Sequence, residues 1–586
     1  MPVNVSFPGV YIHEVKSRVR TITGVPTSVA AFVGPAPRGP DNEPVHITGW
    51  ADYEAQFGGL DKDTKMGHAV YQFFLNGGTD AEIVRLVVPN PEPVTVPIGL
   101  KPAGTDDRAR LRAATPGVWA RNLRVRVDHD NIPDDEKDLY NLTVRDAETG
   151  VQENYTNVSF KADSPRSLTR VLSGSRLVAV EETGSGRPLA HGTPEGSSDD
   201  LLAGPRKVPA KADDGADKPE EAHEEAEGEG AGEGEGEGEE GDAGEEGDAG
   251  NGGGNRRRGN RNGRDGEQDL VVTFEEPQQT GAASDGVPAA EHYLGSADEQ
   301  TGIHALLKTD IFNLLCLPDA QEKTVLDAAL QLCVERRAIL LVDPPGGWTG
   351  EKTAAEVAKL ALNSPVLTGD PAKNAALYFP EVLAPDPLDG ETKSFPPCGV
   401  MAGVLARTDA QRGVWKAAAG TDASLAGVTG LAMVLTDREN GRLNPLGVNC
   451  LRQLPLAGPV AWGARTLRGA DRLADEWKYL PVRRLALFVE ESLFRGTQWV
   501  VFEPNDEPLW SSIRLNVGAF MNSLFREGAF QGRTPEEAYL VKCDRENNPQ
   551  NDIDRGIVNI QVGFAPLKPA EFVIIHIEQL AGQIQT

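Results

Sequence analysis

Between residues 510 and 525, apolar side chains fall at Trp510, Ile513, Val517, Phe520, Met521, Leu524 and Phe525, the three-and-four spacing that lines one side of a helix. Asp506 follows Pro504-Asn505 as an N-cap, Glu507 complements the dipole of the first turn, and Gly528 offers a stop. The opposite face carries Ser511, Ser512, Leu515, Ala519, Asn522 and Arg526, small enough for a partner to come close. Three strands are predicted beyond the helix, at 539–543, 557–564 and 572–577. In the last of these Phe572, Val573, Ile574, Ile575 and Ile577 are apolar on both faces, which suits a strand covered on both sides.

Upstream, a short apolar run at 28–34, a helix over 67–75 and a second run at 81–88 read as strand, helix, parallel strand. The rhythm resumes at 311–317, with a helix over 319–336, a strand at 338–342, a helix over 353–362 and a strand at 375–383. The pattern predicts one α/β domain, 26–90 plus 303–412, split by an insertion over 91–302. Short alternating runs at 123–127, 139–144 and 177–180 make the first part of that insertion β-rich. At the N-terminus Val3, Val5, Phe7, Val10 and Ile12 form a strand-like arm (1–25) broken by Pro8-Gly9. Lys16, Arg18, Arg20 and Thr23-Gly24-Val25-Pro26 follow as a polar, turn-punctuated linker. Such an arm either folds back on its own domain or adds an edge strand to a neighbouring molecule. The fold class expected is therefore multidomain α/β and α+β: the split α/β core, the inserted β-rich domain, a C-terminal α+β domain (413–565), and extended arms, the C-terminal one over 566–586.

At 586 residues several domains are required. No apolar run approaches membrane-helix length, and Met1-Pro2-Val3-Asn4-Val5 lacks the basic start and apolar core of a secretory signal. The five cysteines, Cys316, Cys333, Cys398, Cys450 and Cys543, are an odd, scattered set without a Cys-x-x-Cys pair, so neither a disulfide framework nor a zinc site is expected and a reducing compartment fits. The net charge of −30 is concentrated: residues 195–250 hold 21 acids against four bases. Residues 228–254 contain no aromatic or branched apolar side chain, too little apolar surface to offset an ordering cost of ~1–2 kcal/mol per residue. A disordered acidic loop is expected over 184–268. Arg256-Arg257-Arg258-Gly259-Asn260-Arg261 resembles an RNA-binding tract, but beside a longer acidic block it is more simply internal counter-charge, and no nucleic-acid partner is expected.

The strongest enzymatic motif lies at 346–353. A strand runs into Gly346-Gly347-Trp348-Thr349-Gly350-Glu351-Lys352-Thr353 and then a helix, the setting of a phosphate-cradling P-loop. Glu351, however, replaces the second glycine and would turn a carboxylate toward the phosphates. No histidines pair at metal spacing; Gly184-Ser185-Gly186 is not a nucleophile elbow; and Glu490-Glu491, adjacent on a helix, point ~100° apart and form no dyad. No enzyme activity, cofactor or metal is expected.

Three regions resemble the contractile tail sheath proteins of phage tails, pyocins and extracellular contractile injection systems. They are Phe7-Pro8-Gly9-Val10-Tyr11 through Val33-Gly34 with Arg38-Gly39-Pro40; Phe73-Phe74-Leu75-Asn76-Gly77-Gly78; and most of the chain after Gly413. The last contains Gly413-Val414-Trp415-Lys416-Ala417, Leu443-Asn444-Pro445, Trp462-Gly463-Ala464-Arg465-Thr466-Leu467, Phe502-Glu503-Pro504-Asn505 and Pro569-Ala570-Glu571-Phe572, in order. Ala418 stands where that pattern has proline, and His13 where an acid is commoner. The resemblance implies a subunit stacked in hexameric rings around an inner tube protein, meeting baseplate and terminal cap proteins, and shortening irreversibly to drive the tube through a target envelope. It also implies that the arm residues Val3, Val5, Phe7, Val10, Ile12, Phe572, Ile574, Ile575 and Ile577 join sheets in adjacent subunits. The β-rich insertion is then an outer domain, and the C-terminal domain faces the tube, with Ser512, Leu515, Asn522 and Arg526 as candidate contacts. Assembly is expected in the bacterial cytoplasm, within a phage tail or a particle like one that can be released, and the sheath itself is not inserted in a membrane. Two other readings remain: an ATPase using the degenerate loop at 346–353, and a monomeric surface-binding protein with an acidic arm.

Overall fold

A computed structural model describes residues 20–88, 98–100, 109–133, 135–190, 288–348, 352–363 and 366–576. The centre is an eight-stranded sheet. Its strands are β1 (Ala30–Gly34), β2 (Val45–Ile47), β3 (Ala81–Arg85), β10 (Leu314–Cys316), β11 (Ile339–Val342), β12 (Ala375–Phe379), β13 (Val448–Leu454) and β14 (Gly458–Ala461), after six strands of the insertion, β4 to β9, given below. The order is β14-β13-β12-β11-β10-β1-β3-β2, parallel throughout except for β2 and β14 at the edges.

Strand alternation divides the core in two. Ala30, Phe32, Ile339 and Leu341 face α1 (Met66–Leu75) and α4 (Cys398–Arg412), whereas Ala31, Val33, Leu340 and Val342 face α2 (Lys323–Glu335). Helix α3 (Ala354–Asn363) lies on the α2 side through Ala354 and Val357. Helices α1 and α4 can touch because α4 has glycine at the crossing: a Cβ on Gly399 would lie 2.2 Å from the Ala69 carbonyl oxygen, and one on Gly403 2.5 Å from that of Phe73.

The sheet does not stop at the expected boundary of 412. Strands β13 and β14 extend it to Ala461, because Val448, Asn449 and Cys450 pair in parallel with Leu377, Tyr378 and Phe379. The insertion likewise ends before the expected 302, since Tyr293, Ile303 and Leu306 are buried in the same core as Ala31. Within it, β4 (Ile98–Leu100), β5 (Ala109–Ala113) and β9 (Val178–Glu182) form one antiparallel sheet, and β6 (Leu123–Asp128), β7 (Leu139–Asp146) and β8 (Gln152–Ser159) another. Between them Leu111, Val125, Leu142, Val144 and Val178 form a separate core. Of the expected acidic loop, 184–190 belong to this part of the chain and 191–268 lie outside the described residues.

Two half-buried aspartates hold helix N-termini at the ends of the parallel strands. Asp319 accepts from the backbone N–H groups of Lys65 and Met66, and Asp343 from that of Cys398 at 2.8 Å. Burial pushes Asp319 up to about 6 and Asp343 up to about 7, the N–H groups pulling back. Both folded-state values lie above the unfolded value, so the stability they contribute is complete below about pH 4 and lost as pH rises through 6 and 7. Unfolding should therefore be about 2–4 kcal/mol harder at pH 5.5 than at pH 8. Denaturant titrations at the two pH values, repeated on Asp319→Asn/Asp343→Asn, check this; the double variant should lose the dependence.

The last body is built on α5 (Leu480–Gly496) and α6 (Glu507–Arg526). Asp506 caps α6 by accepting from the Leu509 N–H, and Trp510, Ile513, Val517, Phe520, Met521 and Leu524 are buried, with Phe525 at the margin. Strands β15 (Tyr539–Lys542) and β16 (Gln561–Phe564) pair antiparallel beside it. The strand predicted to begin at 557 starts only at 561, because the preceding backbone is taken by side chains. Asn505 donates to the Ile557 carbonyl, Asn547 to the Asn559 carbonyl, and the Asn559 N–H donates to Asn548.

Candidate functional site at the roots of the two arms

The described part of the predicted polar linker, residues 20–26, is laid along α5 and held at nearly every step, and the contact continues through Thr27. The Arg20 N–H donates to Asn516 Oδ1 at 3.1 Å, and its guanidinium stands 4.7 Å over the Trp499 ring. Ile22 is buried against Gly496, where a Cβ would come within 2.6 Å of it. The Val25 N–H donates to Ser492 Oγ, and Arg484 donates to the Thr27 carbonyl. Arg484 also grips both oxygens of buried Asp409, at 2.8 and 2.6 Å. The N-terminal arm is thus rooted on α5 and α6. Its predicted strand residues Val3, Val5, Phe7, Val10 and Ile12 lie outside the described residues.

The C-terminal arm is rooted elsewhere. After β16 the chain crosses to the α/β body, where Glu571 meets Arg465, a side chain with no solvent exposure. Arg465 Nε and Nη2 donate to the two Glu571 oxygens at 2.6 and 2.7 Å, the side-by-side geometry that suits a guanidinium and a carboxylate. Nη1 donates to the carbonyls of Asn444 and Gly469 and to Asp471. Asn444 and the Tyr479 hydroxyl add donors to Glu571, and Lys478 stands 3.8 Å away. Burial opposes both charges, but the pairing outweighs it: Glu571 is held below the usual carboxylate range and Arg465 above its ordinary value.

Beyond Glu571 the chain leaves the body. Phe572, Val573, Ile574 and Ile575 are 74%, 80%, 79% and 77% exposed, and residues 572–576 join no strand ladder, contrary to the covered strand that their two apolar faces predict. His576, expected in that strand, is also exposed outside any ladder, and Ile577 lies outside the described residues.

Helix α6 does bring Ser512, Leu515, Asn522 and Arg526 onto one face. Leu515 is 58% exposed; Arg526 is exposed, Ser512 and Asn522 are half-buried, and the Ser512 hydroxyl donates to the Pro508 carbonyl.

Of the loop at 346–353, residues 346–348 and 352–353 are described. Trp348 is buried against Phe379. At the start of α3 the Thr353 N–H and hydroxyl both donate to Glu356 at 2.8 Å, bonds that hold that carboxylate low; 349–351 lie outside the described residues. Glu490 and Glu491 are spent on Arg483, Arg337 and Arg495. Among the described residues no group of three or more His, Cys, Asp or Glu is placed to hold a metal, and no helix is long and apolar enough to cross a membrane.

Reading the sequence alone missed Arg465 and Glu571 as partners. The signal available was chemical: one arginine and one acid, each inside an otherwise apolar or proline-rich motif, Trp462-Gly463-Ala464-Arg465 and Pro569-Ala570-Glu571.

Residues 287–467 match the family model of the phage tail sheath protein central domain, and residues 474–579 that of the phage tail sheath C-terminal domain. The Arg465–Glu571 pair therefore joins the two matched regions. The tail sheath protein of Vibrio phage KVP40 is 26% identical over 192 residues, 33% of this chain and 27% of that protein. That of Burkholderia phage BcepMu is 25% identical over 292 residues, 47% of this chain and 58% of that protein. The matched stretches thus span about a quarter to three-fifths of these relatives. The sheath of an extracellular contractile injection system, solved in its contracted state, has the same fold, with a TM-score of 0.51 and 20% identity over 99% of both chains. With both sheath-domain models matched in order along it, the chain belongs to the phage tail sheath family.

Proposed function

We propose that this chain is the sheath subunit of a contractile injection machine. It polymerises as stacked hexameric rings around an inner tube and shortens to drive that tube through a target envelope. One observation carries the reading furthest: four consecutive apolar residues, 572–575, stand in solvent immediately after a buried clamp. Their full burial in a neighbouring copy is worth roughly 1.5–3 kcal/mol each, ~6–12 kcal/mol in all before association and ordering are subtracted. A head-to-tail contact that does not close on itself generates a helix, and a helix with two packings of unequal energy shortens without nucleotide. The role is structural, not enzymatic.

Ser512, Leu515, Asn522 and Arg526 are the proposed contacts with the tube. Baseplate and terminal cap proteins bind the ends of the stack, and assembly takes place in the bacterial cytoplasm before any release. Electron microscopy of the chain co-expressed with its tube protein tests this. Striated cylinders in two lengths are expected; a chain that stays monomeric with the tube present would contradict it.

A further inference from the structure

The two arms are rooted on different bodies, and the C-terminal root has the build of an anchor. Between Pro566, which pairs with Phe530, and Glu571, the chain runs half-buried or exposed over the surface. Glu571 is the last described residue with a polar contact to the body. From it the connections run inward without passing through solvent. Arg465 is fully buried, and its backbone N–H and carbonyl are both bonded to the side chain of Asn449, also fully buried and lying in β13. Two residues on, the Leu467 N–H donates to the Ala375 carbonyl at the start of β12. Alongside the chain itself and the Asn444 and Tyr479 bonds to Glu571, a pull on residue 572 therefore passes through one carboxylate and one guanidinium into two adjacent strands of the central sheet.

We propose that Arg465 and Glu571 are positioning residues that carry the load on the C-terminal arm, fixing where the arm leaves the body and holding it there when linked subunits move apart. The load-bearing half rests on the reading of the arm as a link between copies; the fixing half does not. A planar fork holding both carboxylate oxygens resists pivoting as well as separation, which the single ammonium of a lysine does not. Lys478 and Tyr479 sit at the same carboxylate but cannot replace that fork.

The fixing half is tested on the protomer. Chymotrypsin cuts after Phe572, next to the clamp, and needs several flanking residues to come free. Glu571→Gln, which leaves Arg465 with Asp471 as its carboxylate partner, and Arg465→Lys should each speed that cut by about tenfold or more. The same cut in Glu490→Gln, which breaks an ion pair away from the arm, should keep its wild-type rate. If the clamp variants melt below the wild type, Tyr479→Phe, which removes one hydroxyl from Glu571, gives a milder acceleration in a protein that melts normally. An unchanged cutting rate in all three would overturn the proposal.

The load-bearing half is read in assembled sheaths triggered to contract. Glu571→Gln sheaths should match the wild type in length when extended and break into short pieces on contraction. Contracted sheaths as continuous as the wild type would overturn that half. If the wild-type chain forms no sheath at all, the polymer reading fails while the cutting assay still decides whether the clamp fixes the arm.

Discussion

Removing residues 572–586 leaves a protomer that folds and does not polymerise. The segment from 572 to 576 contributes nothing to its own body: Phe572, Val573, Ile574 and Ile575 are about three-quarters exposed or more and pair with no strand. Deletion should therefore change the unfolding free energy of the isolated chain by no more than surface substitutions do, within about 0.5 kcal/mol. Assembly, in contrast, loses the ~6–12 kcal/mol of gross burial available at each link. At ordinary protein concentrations a loss of even half that is several powers of ten in association. Sedimentation of the truncated chain with its tube protein should show monomer alone where the full chain pellets. Pelleted sheaths from the truncated chain would place the links elsewhere.

Arg465→Ala is the point substitution with the largest expected cost. It leaves Glu571 half-buried without its main partner and strips a hydrogen-bond donor from the carbonyls of Asn444 and Gly469. Breaking one partner of a buried pair costs about 3–5 kcal/mol, because the surviving charge is stranded. Half-exposed Asp471 can rehydrate, so the cost should fall toward the lower end. The diagnostic is the double variant: Arg465→Met with Glu571→Leu removes both charges and should recover much of the loss. Denaturant unfolding of the single and double variants measures both, and equal losses would show that packing, not stranded charge, sets the cost. Because pairing holds Glu571 below the usual carboxylate range, its contribution is present above the unfolded value and is lost only in stronger acid, as pH falls through the folded one. The root of the arm therefore survives the mild acid in which Asp319 and Asp343 gain.

What the amino-acid pattern discloses is local. The α6 stripe, its Asp506 cap and the Gly528 stop lie within one stretch of chain, so period and cap chemistry suffice to find them. Strands β1, β3, β11 and β12 announce themselves as short apolar runs because both their faces are buried. Strand β13 is less visible as part of that sheet, since its partner β12 lies about seventy residues earlier and Arg452 and Gln453 break its apolar run. The Arg465–Glu571 pair spans 106 residues, and no spacing rule reaches that far. Phe572-Val573-Ile574-Ile575 discloses half its meaning: two apolar faces demand cover, but one chain cannot say whose.

That question is also the most direct test of the whole account. A photoreactive residue placed at Ile574, in sheaths assembled from an equal mixture of isotopically light and heavy chains, records which copy covers the arm. The account predicts that about half of the cross-linked peptide pairs join a light chain to a heavy one, as random mixing between copies requires. Cross-links confined to light with light and heavy with heavy would mean that the arm folds onto its own body, and would contradict it.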